Sequence, residues 1–245
     1  MYWYEPYRVN QAQLVDSAYG DVNGDGTLDY VYITAVKAEA SSPFLQDITL
    51  NIQDGATNRV YSIPLNKDGN SGYQPTVFLG DFTGDGIKDI LVTIDSGGSG
   101  AFTFNYVYSF VNNQARVLFD FNKYNEQNTY SVTYLDYYKV NVYSPATGQA
   151  YIVDISNRDA DYLSQIYDEK GILKQPVQGM FDGVSGFYPV DMDRDGVYEI
   201  QAYQKISGLY HADSFGYMIN TLQWDKDKFS IWQQWMAIYG SEPSK

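Results

Sequence analysis

Asp21-Val22-Asn23-Gly24-Asp25-Gly26-Thr27-Leu28-Asp29 is an acidic nonapeptide with oxygen-bearing side chains at positions 1, 3, 5 and 9 and glycine at position 6. Two more stretches keep that spacing: Asp81-Phe82-Thr83-Gly84-Asp85-Gly86-Ile87-Lys88-Asp89 and Asp191-Met192-Asp193-Arg194-Asp195-Gly196-Val197-Tyr198-Glu199. Alternate residues of a tight loop can turn inward onto one centre. Calcium takes six to eight oxygens at roughly 2.3–2.6 Å, which such a loop can supply. Magnesium suits it less well, because it demands strict octahedral geometry and keeps its water.

The expected ligand set follows position by position. The first loop offers Asp21, Asn23, Asp25 and Asp29 through side chains and Thr27 through its carbonyl. The second offers Asp81, Thr83, Asp85 and Asp89, with the carbonyl of Ile87. The third offers Asp191, Asp193, Asp195 and Glu199, with the carbonyl of Val197. Glycine at position 6 permits a turn that a side chain would obstruct. This is not an EF-hand, whose bidentate Glu stands at position 12 between helices; here position 9 closes the loop and strands flank it. About three structural calcium ions are expected. Without them the clustered carboxylates repel one another, which destabilises each turn and raises some of their pKa values.

The flanks of the loops repeat as well. Ala18-Tyr19-Gly20 aligns with Phe78-Leu79-Gly80 and Tyr188-Pro189-Val190, and Tyr30–Ile33 with Ile90–Thr93 and Ile200–Tyr203. The interval between the second and third loops is close to two repeats. A fourth copy fits at Tyr134–Tyr143, where a tight turn replaces the loop. The predicted units are 21–80, 81–135, 136–190 and 191–245. Runs rich in Val, Ile, Thr and aromatics predict several strands in each, such as Tyr30–Val36, Asp47–Gln53, Ile90–Asp95, Phe102–Val111 and Ser214–Trp224. Ala160–Asp168 reads as a short helix. The last unit lacks a final strand, and Ala12–Tyr19 is a strand without a unit. The expectation is a single all-β domain, a four-bladed β-propeller closed when strand 12–19 completes the last blade. Closure would remove exposed sheet edges. A β-sandwich with calcium loops is the alternative.

The phrase Gly20–Asp29, and Phe78–Gly86 nearly as well, resembles the FG-GAP or VCBS repeat of integrin α-subunit propellers and many bacterial surface proteins. That resemblance implies a calcium-binding propeller in a secreted or cell-surface bacterial setting. Many propellers of this kind have seven blades, whereas this chain has room for about four.

Composition narrows the role. The chain has 245 residues, no cysteine and one histidine, His211, so thiolate zinc sites, disulfides and multi-imidazole sites are excluded. The net charge of −14 argues against nucleic acid, since phosphate contacts need a basic face. Ten of the carboxylates lie in the three loops. No apolar run approaches the ~20 residues that span a bilayer. The start has no basic and apolar leader. The expectation is nevertheless a secreted or cell-surface protein whose export signal is missing from this sequence, because loops of ordinary affinity fill at extracellular calcium levels. The cytoplasm is the alternative.

No reaction is named by the sequence. Asp95–Gly100 is Gly-rich but lacks the Lys-Ser/Thr of a phosphate loop. Ser207–Ser214 brings Ser, His and Asp together in sequence, yet a triad needs them oriented in space beside an oxyanion hole. Trp3, Trp224, Trp232 and Trp235 could form a sugar platform, although tryptophan also suits strands and cores. Asp154, Asp159 and Asp161 read as a solvated acidic surface. The reading is therefore a calcium-stabilised, non-catalytic binding module whose partner is a protein or a glycan. A lectin, a glycosidase or other hydrolase, and a purely structural coat protein are the alternatives.

Overall fold

The computed structural model describes residues 11–39, 41–98 and 100–240. The start of the chain, with Trp3, and Ser99 of the Gly-rich loop lie outside the described residues. The fold is all-β and forms two compact units, one ending at Phe119 and the other beginning at Asp120.

The first unit carries two sheets. One is built from β1 (Gln13–Gly20), β2 (Asp29–Lys37), β3 (Leu45–Gln53) and β4 (Val60–Pro64), in sequence order. The other takes β5 (Tyr73–Gly80), β6 (Asp89–Asp95), β7 (Thr103–Ser109) and β8 (Arg116–Asp120), again in order. The second unit opens with α1 (Phe121–Gln127), then β9 (Ser131–Leu135), β10 (Lys139–Ser144) and β11 (Gln149–Asp154) in a three-stranded sheet. After α2 (Ala160–Ile166) come β12 (Met180–Val190), β13 (Glu199–Ser207), β14 (Ser214–Asp225) and β15 (Lys228–Ile238), a sheet in sequence order. The third sheet gains a partial fourth row. Tyr134 N donates to Val177 O and Gly179 N to Val132 O, so residues 177–179 lie along β9.

Simple alternation builds these strands. In β2, Val31, Ile33 and Ala35 are fully buried while Tyr30, Tyr32 and Thr34 are partly exposed. Tyrosines line the opposite faces in rows that run along and across the strands. Tyr19, Tyr30 and Tyr32 stack with centroids 4.7 and 4.9 Å apart. Tyr188, Tyr203, Tyr217 and Tyr239 meet edge to face at 5.5, 6.3 and 6.5 Å. Such pairs are a main source of sheet stability, and they occupy many of the tyrosines.

The expected closure is corrected here. β1 pairs with β2, from Gln13↔Ala35 to Gly20↔Asp29, and belongs to the first sheet. The last sheet has its own first strand, β12, paired with β13 up to Val190↔Glu199. Each acidic loop is thus a hairpin connection between the first and second strands of one sheet, and each sheet starts one strand before its loop. The physical reason is that antiparallel neighbours joined by a short loop pair with each other at low entropic cost, whereas a distant strand must close the whole chain.

The fourth copy matches the sequence expectation in form. Asp136-Tyr137-Tyr138 joins β9 to β10, with φ of 61° at both tyrosines. Asp120 caps α1, accepting from Asn122 N at 2.9 Å and Lys123 N at 3.4 Å, and so ends β8. Among the described residues no helix is long and apolar enough to cross a membrane, which says nothing about strands.

Candidate metal centres

The three loops share one internal geometry. At position 1, Asp21 Oδ1 accepts from Gly24 N (2.7 Å) and Oδ2 from Gly26 N (2.9 Å). Asp81 does the same with Gly84 N (2.7 Å) and Gly86 N (2.8 Å). Asp191 accepts from Asp195 N and Gly196 N, both at 3.2 Å. At position 5, Asp25, Asp85 and Asp195 accept from the N–H of Thr27, Ile87 and Val197 at 2.8, 2.9 and 2.8 Å. At position 9, Asp29, Asp89 and Glu199 are buried and accept from the N–H of Val22, Phe82 and Met192 at 3.0, 3.0 and 3.1 Å.

These bonds wind each loop around its carboxylates, and the backbone must turn left-handed to do so. Position 6 has φ of 84°, 80° and 92° at Gly26, Gly86 and Gly196. Position 4 is also left-handed, at Gly24 (83°), Gly84 (76°) and Arg194 (65°). The third loop therefore places a non-glycine residue where the other two use glycine. It differs at position 2 as well. Val22 and Phe82 are fully buried and anchor their loops, whereas Met192 is 39% exposed.

Position 3 varies most. Asn23 Oδ1 accepts from Asp25 N at 2.9 Å. The Thr83 hydroxyl is buried and, though near enough to Asp89 to lower its pKa, makes no hydrogen bond of good geometry. In the third loop the carboxylates of Asp191, Asp193 and Asp195 converge, with oxygens all within 4.8 Å of one another. That is the span of two ligands at ~2.4 Å on opposite sides of one calcium ion. The donor set is oxygen throughout, which is the chemistry that hard cations take.

Burial raises the Asp89 carboxyl to about 7, with the Asp85 and Asp81 charges adding to the rise and the Phe82 N–H opposing it. Glu199 is raised for the same leading reason, with Asp193 and Asp195 contributing. Both carboxyls stand in surroundings that a bound cation would reverse.

The first loop has supports that its sequence does not reveal. Asp29 Oδ1 accepts from Gly55 N at 3.0 Å, Asn112 N donates to Asn23 O at 2.9 Å, and Lys88 N donates to Asp21 O at 3.4 Å. Asn113 bridges Asn23 (3.3 Å) and the buried Asp54 (3.4 Å). Asp54 in turn caps the β3–β4 turn through Ala56 N and Thr57 N.

The Ser, His and Asp of residues 207–214 are not assembled as a triad. Ser207 Oγ donates to the backbone O of His211, and His211 Nδ1 lies 2.9 Å from the buried Asp182. Asp213 is taken by Arg158 (3.2 Å) and by the Tyr162 hydroxyl (2.5 Å). Asp154 pairs with Lys139 at 2.9 Å on the surface. Trp224 meets Phe229 edge to face, while Trp232 and Trp235 are about half exposed.

Comparison with known proteins adds the family. Residues 128–237 match the family model described as the YybI C-terminal domain, a span inside the second unit. Uncharacterized protein YybI of Bacillus subtilis (strain 168) is 42% identical over 236 residues, covering 96% of this chain and 89% of that protein. Among solved structures, the exotype rhamnogalacturonan lyase YesX aligns at a TM-score of 0.40 and 14% identity. That alignment covers 91% of this chain, which spans 33% of the YesX chain, and at that score the likeness is too distant to fix a fold or an activity. The FG-GAP/VCBS resemblance is overturned by these matches. Its physical basis is a nine-residue spacing set by loop chemistry, which unrelated hairpins can share. The chain belongs to the YybI family.

Proposed function

We propose that this protein is a calcium-stabilised, non-catalytic binding module, working outside the cell or at its surface with a protein or glycan partner. The observation that carries the metal half is the threefold loop geometry, in which a position-1 Asp gathers two backbone N–H groups and a buried position-9 carboxylate closes the hairpin. Each loop would hold one structural ion. The ligands are Asp21, Asn23, Asp25, Thr27 and Asp29; Asp81, Thr83, Asp85, Ile87 and Asp89; and Asp191, Asp193, Asp195, Val197 and Glu199. Each ion bound to the folded state alone adds ~2.7 kcal/mol at a hundredfold excess over Kd.

The extracellular setting follows from the calcium level that such loops need. The net charge of −14 disfavours nucleic acid, whose phosphates need a basic face. The sheets themselves read as blades of one four-bladed propeller, since three of the four carry the loop between their first two strands. An experimental structure of the full chain tests that reading. Thermal unfolding in EDTA and in excess calcium tests the metal reading. The melting temperature rises by several degrees with calcium if the reading holds, and stays unchanged if it fails.

A further inference from the structure

The turn between β10 and β11 and the strand β15 border a cleft lined by Thr147, Gln149, Trp232, Gln233, Gln234 and Trp235. Its volume is about 370 Å³, within the ~300–1,000 Å³ of small-molecule sites. No lining residue is charged.

A β-bulge builds one wall. Thr221 pairs with Gln233 and Leu222 with Ile231, so Trp232 is the extra residue and its indole is 47% exposed. Bulges commonly re-aim a side chain beside a binding site. Trp235 is 40% exposed. Two half-exposed indoles on a strand at the end of its sheet offer apolar faces to a ligand.

The polar groups are fixed in advance. Thr147 Oγ1 donates to Gln234 Oε1 at 2.8 Å. Gln234 Nε2 donates to Asn220 Oδ1 at 2.7 Å. Asn220 is buried and donates to the hydroxyls of Tyr124 (2.5 Å) and Tyr130 (2.9 Å). The Gln149 amide oxygen accepts from the Tyr151 hydroxyl at 2.6 Å, which leaves its NH₂ group for a ligand. Preorganised amides beside exposed indoles lower the ordering cost of binding.

We propose that this cleft binds a neutral oligosaccharide. A pyranose offers an apolar C–H face and a rim of hydroxyls that both donate and accept. Indole faces match the first, and Gln and Thr side chains match the second. A phosphate or carboxylate ligand would call for Arg or Lys, and the lining has neither. The proposal rests on the reading of the chain as a binding module but on none of the calcium loops.

The test is calorimetric titration of the full chain with neutral tetrasaccharides built from glucose, xylose, galactose or N-acetylglucosamine, alongside a printed peptide array. Wild type binds at least one tetrasaccharide saturably. Trp232→Ala and Trp235→Ala weaken that binding by about tenfold or more, and Trp224→Phe, outside the cleft, leaves it unchanged. Gln149→Ala, at the exposed start of β11, weakens it with the melting temperature intact, which separates lost recognition from lost folding. Binding that survives the two tryptophan variants and Gln149→Ala overturns the proposal. So does the absence of binding to every tetrasaccharide at about 1 mM. In that case, capture of peptides on the array preserves the binding-module reading, and capture of neither sinks both.

Discussion

Asp29→Ala in the first loop should cost far more than the loss of a surface acid. The Asp29 carboxylate is fully buried and accepts two backbone bonds, from Val22 N and Gly55 N, each at 3.0 Å. Hydrogen bonds to a charged group contribute roughly 1.5–3 kcal/mol each, and removing the acceptor leaves buried donors without partners. The Val22 side chain is fully buried. Gly55 is packed so closely that a Cβ there would meet Leu28 O at 2.1 Å. Neither segment can swing outward to water without unpacking its neighbours. The cost is therefore about 3 kcal/mol or more before any metal is considered, twice the lower figure for one bond. In a chain of this size that lowers the melting temperature by about 6–12 °C. Urea unfolding in EDTA isolates this part, and the same measurement in excess calcium adds the lost ion. A variant within about 1 kcal/mol of wild type in EDTA would refute the reasoning, because the position-9 carboxylate would then hold nothing in place.

Other consequences are equally measurable. Gly24→Ala should destabilise by about 1–3 kcal/mol, since φ is 83° and the new Cβ would meet Ile87 Cδ1 at 2.6 Å; thermal unfolding reads it. Arg194→Gly should instead stabilise the third loop by about 0.5–1 kcal/mol, because it relieves a left-handed non-glycine residue at φ 65°. Tyr162→Phe removes the 2.5 Å bond to buried Asp213 and should cost about 1–3 kcal/mol by denaturant unfolding, with Arg158 still in place. Asp154 is held down to about 2, first by hydrogen bonds from Ser156 and then by Lys139. Its folded pKa is depressed, so its contribution is present above about 4 and is lost as pH falls toward 2. Asp154→Asn should therefore flatten the urea midpoint over that acid range, with a small loss at neutral pH, as suits a half-exposed pair, and no loss near pH 2.

The sequence made local chemistry legible and left non-local geometry hidden. β2 could be read because Val, Ile, Thr and tyrosine crowd it, and the loops because acidic oxygens and glycine recur at fixed spacing. The first strand of the last sheet was not legible. Met180–Val190 runs through Gly183, Gly186 and Pro189, and only its end, Tyr188–Val190, aligns with the strands before the other loops. In the fold, register shifts between Phe181 and Val184 and between Val184 and Gly186 absorb the two glycines within one long strand. When each unit is taken to begin at its loop, this strand falls to the unit before, the last unit looks one strand short, and strand 12–19 is left to fill it; pairing across the loop gives the strand to the last sheet instead.

The supports of the first loop escaped for a related reason. Asn113 lies 90 residues from Asn23, and nothing in either neighbourhood marks the pair. The cleft beside Trp232 joins side chains 87 residues apart, such as Thr147 and Gln234. Tryptophan content raised a sugar platform as a possibility, but a bulge and a buried amide network are needed to turn aromatic residues into a site. The family resemblance misled because a short metal-loop spacing constrains chemistry more than ancestry.

The central claim is that three hairpin loops each hold a calcium ion. The most direct measurement is the bound-metal stoichiometry of protein dialysed against about 1 mM calcium and freed of loose ions, read by elemental analysis. The account predicts about three calcium ions per chain, falling by one when Asp25, Asp85 or Asp195 is changed to Ala. Protein that carries no divalent ion after that dialysis would contradict it.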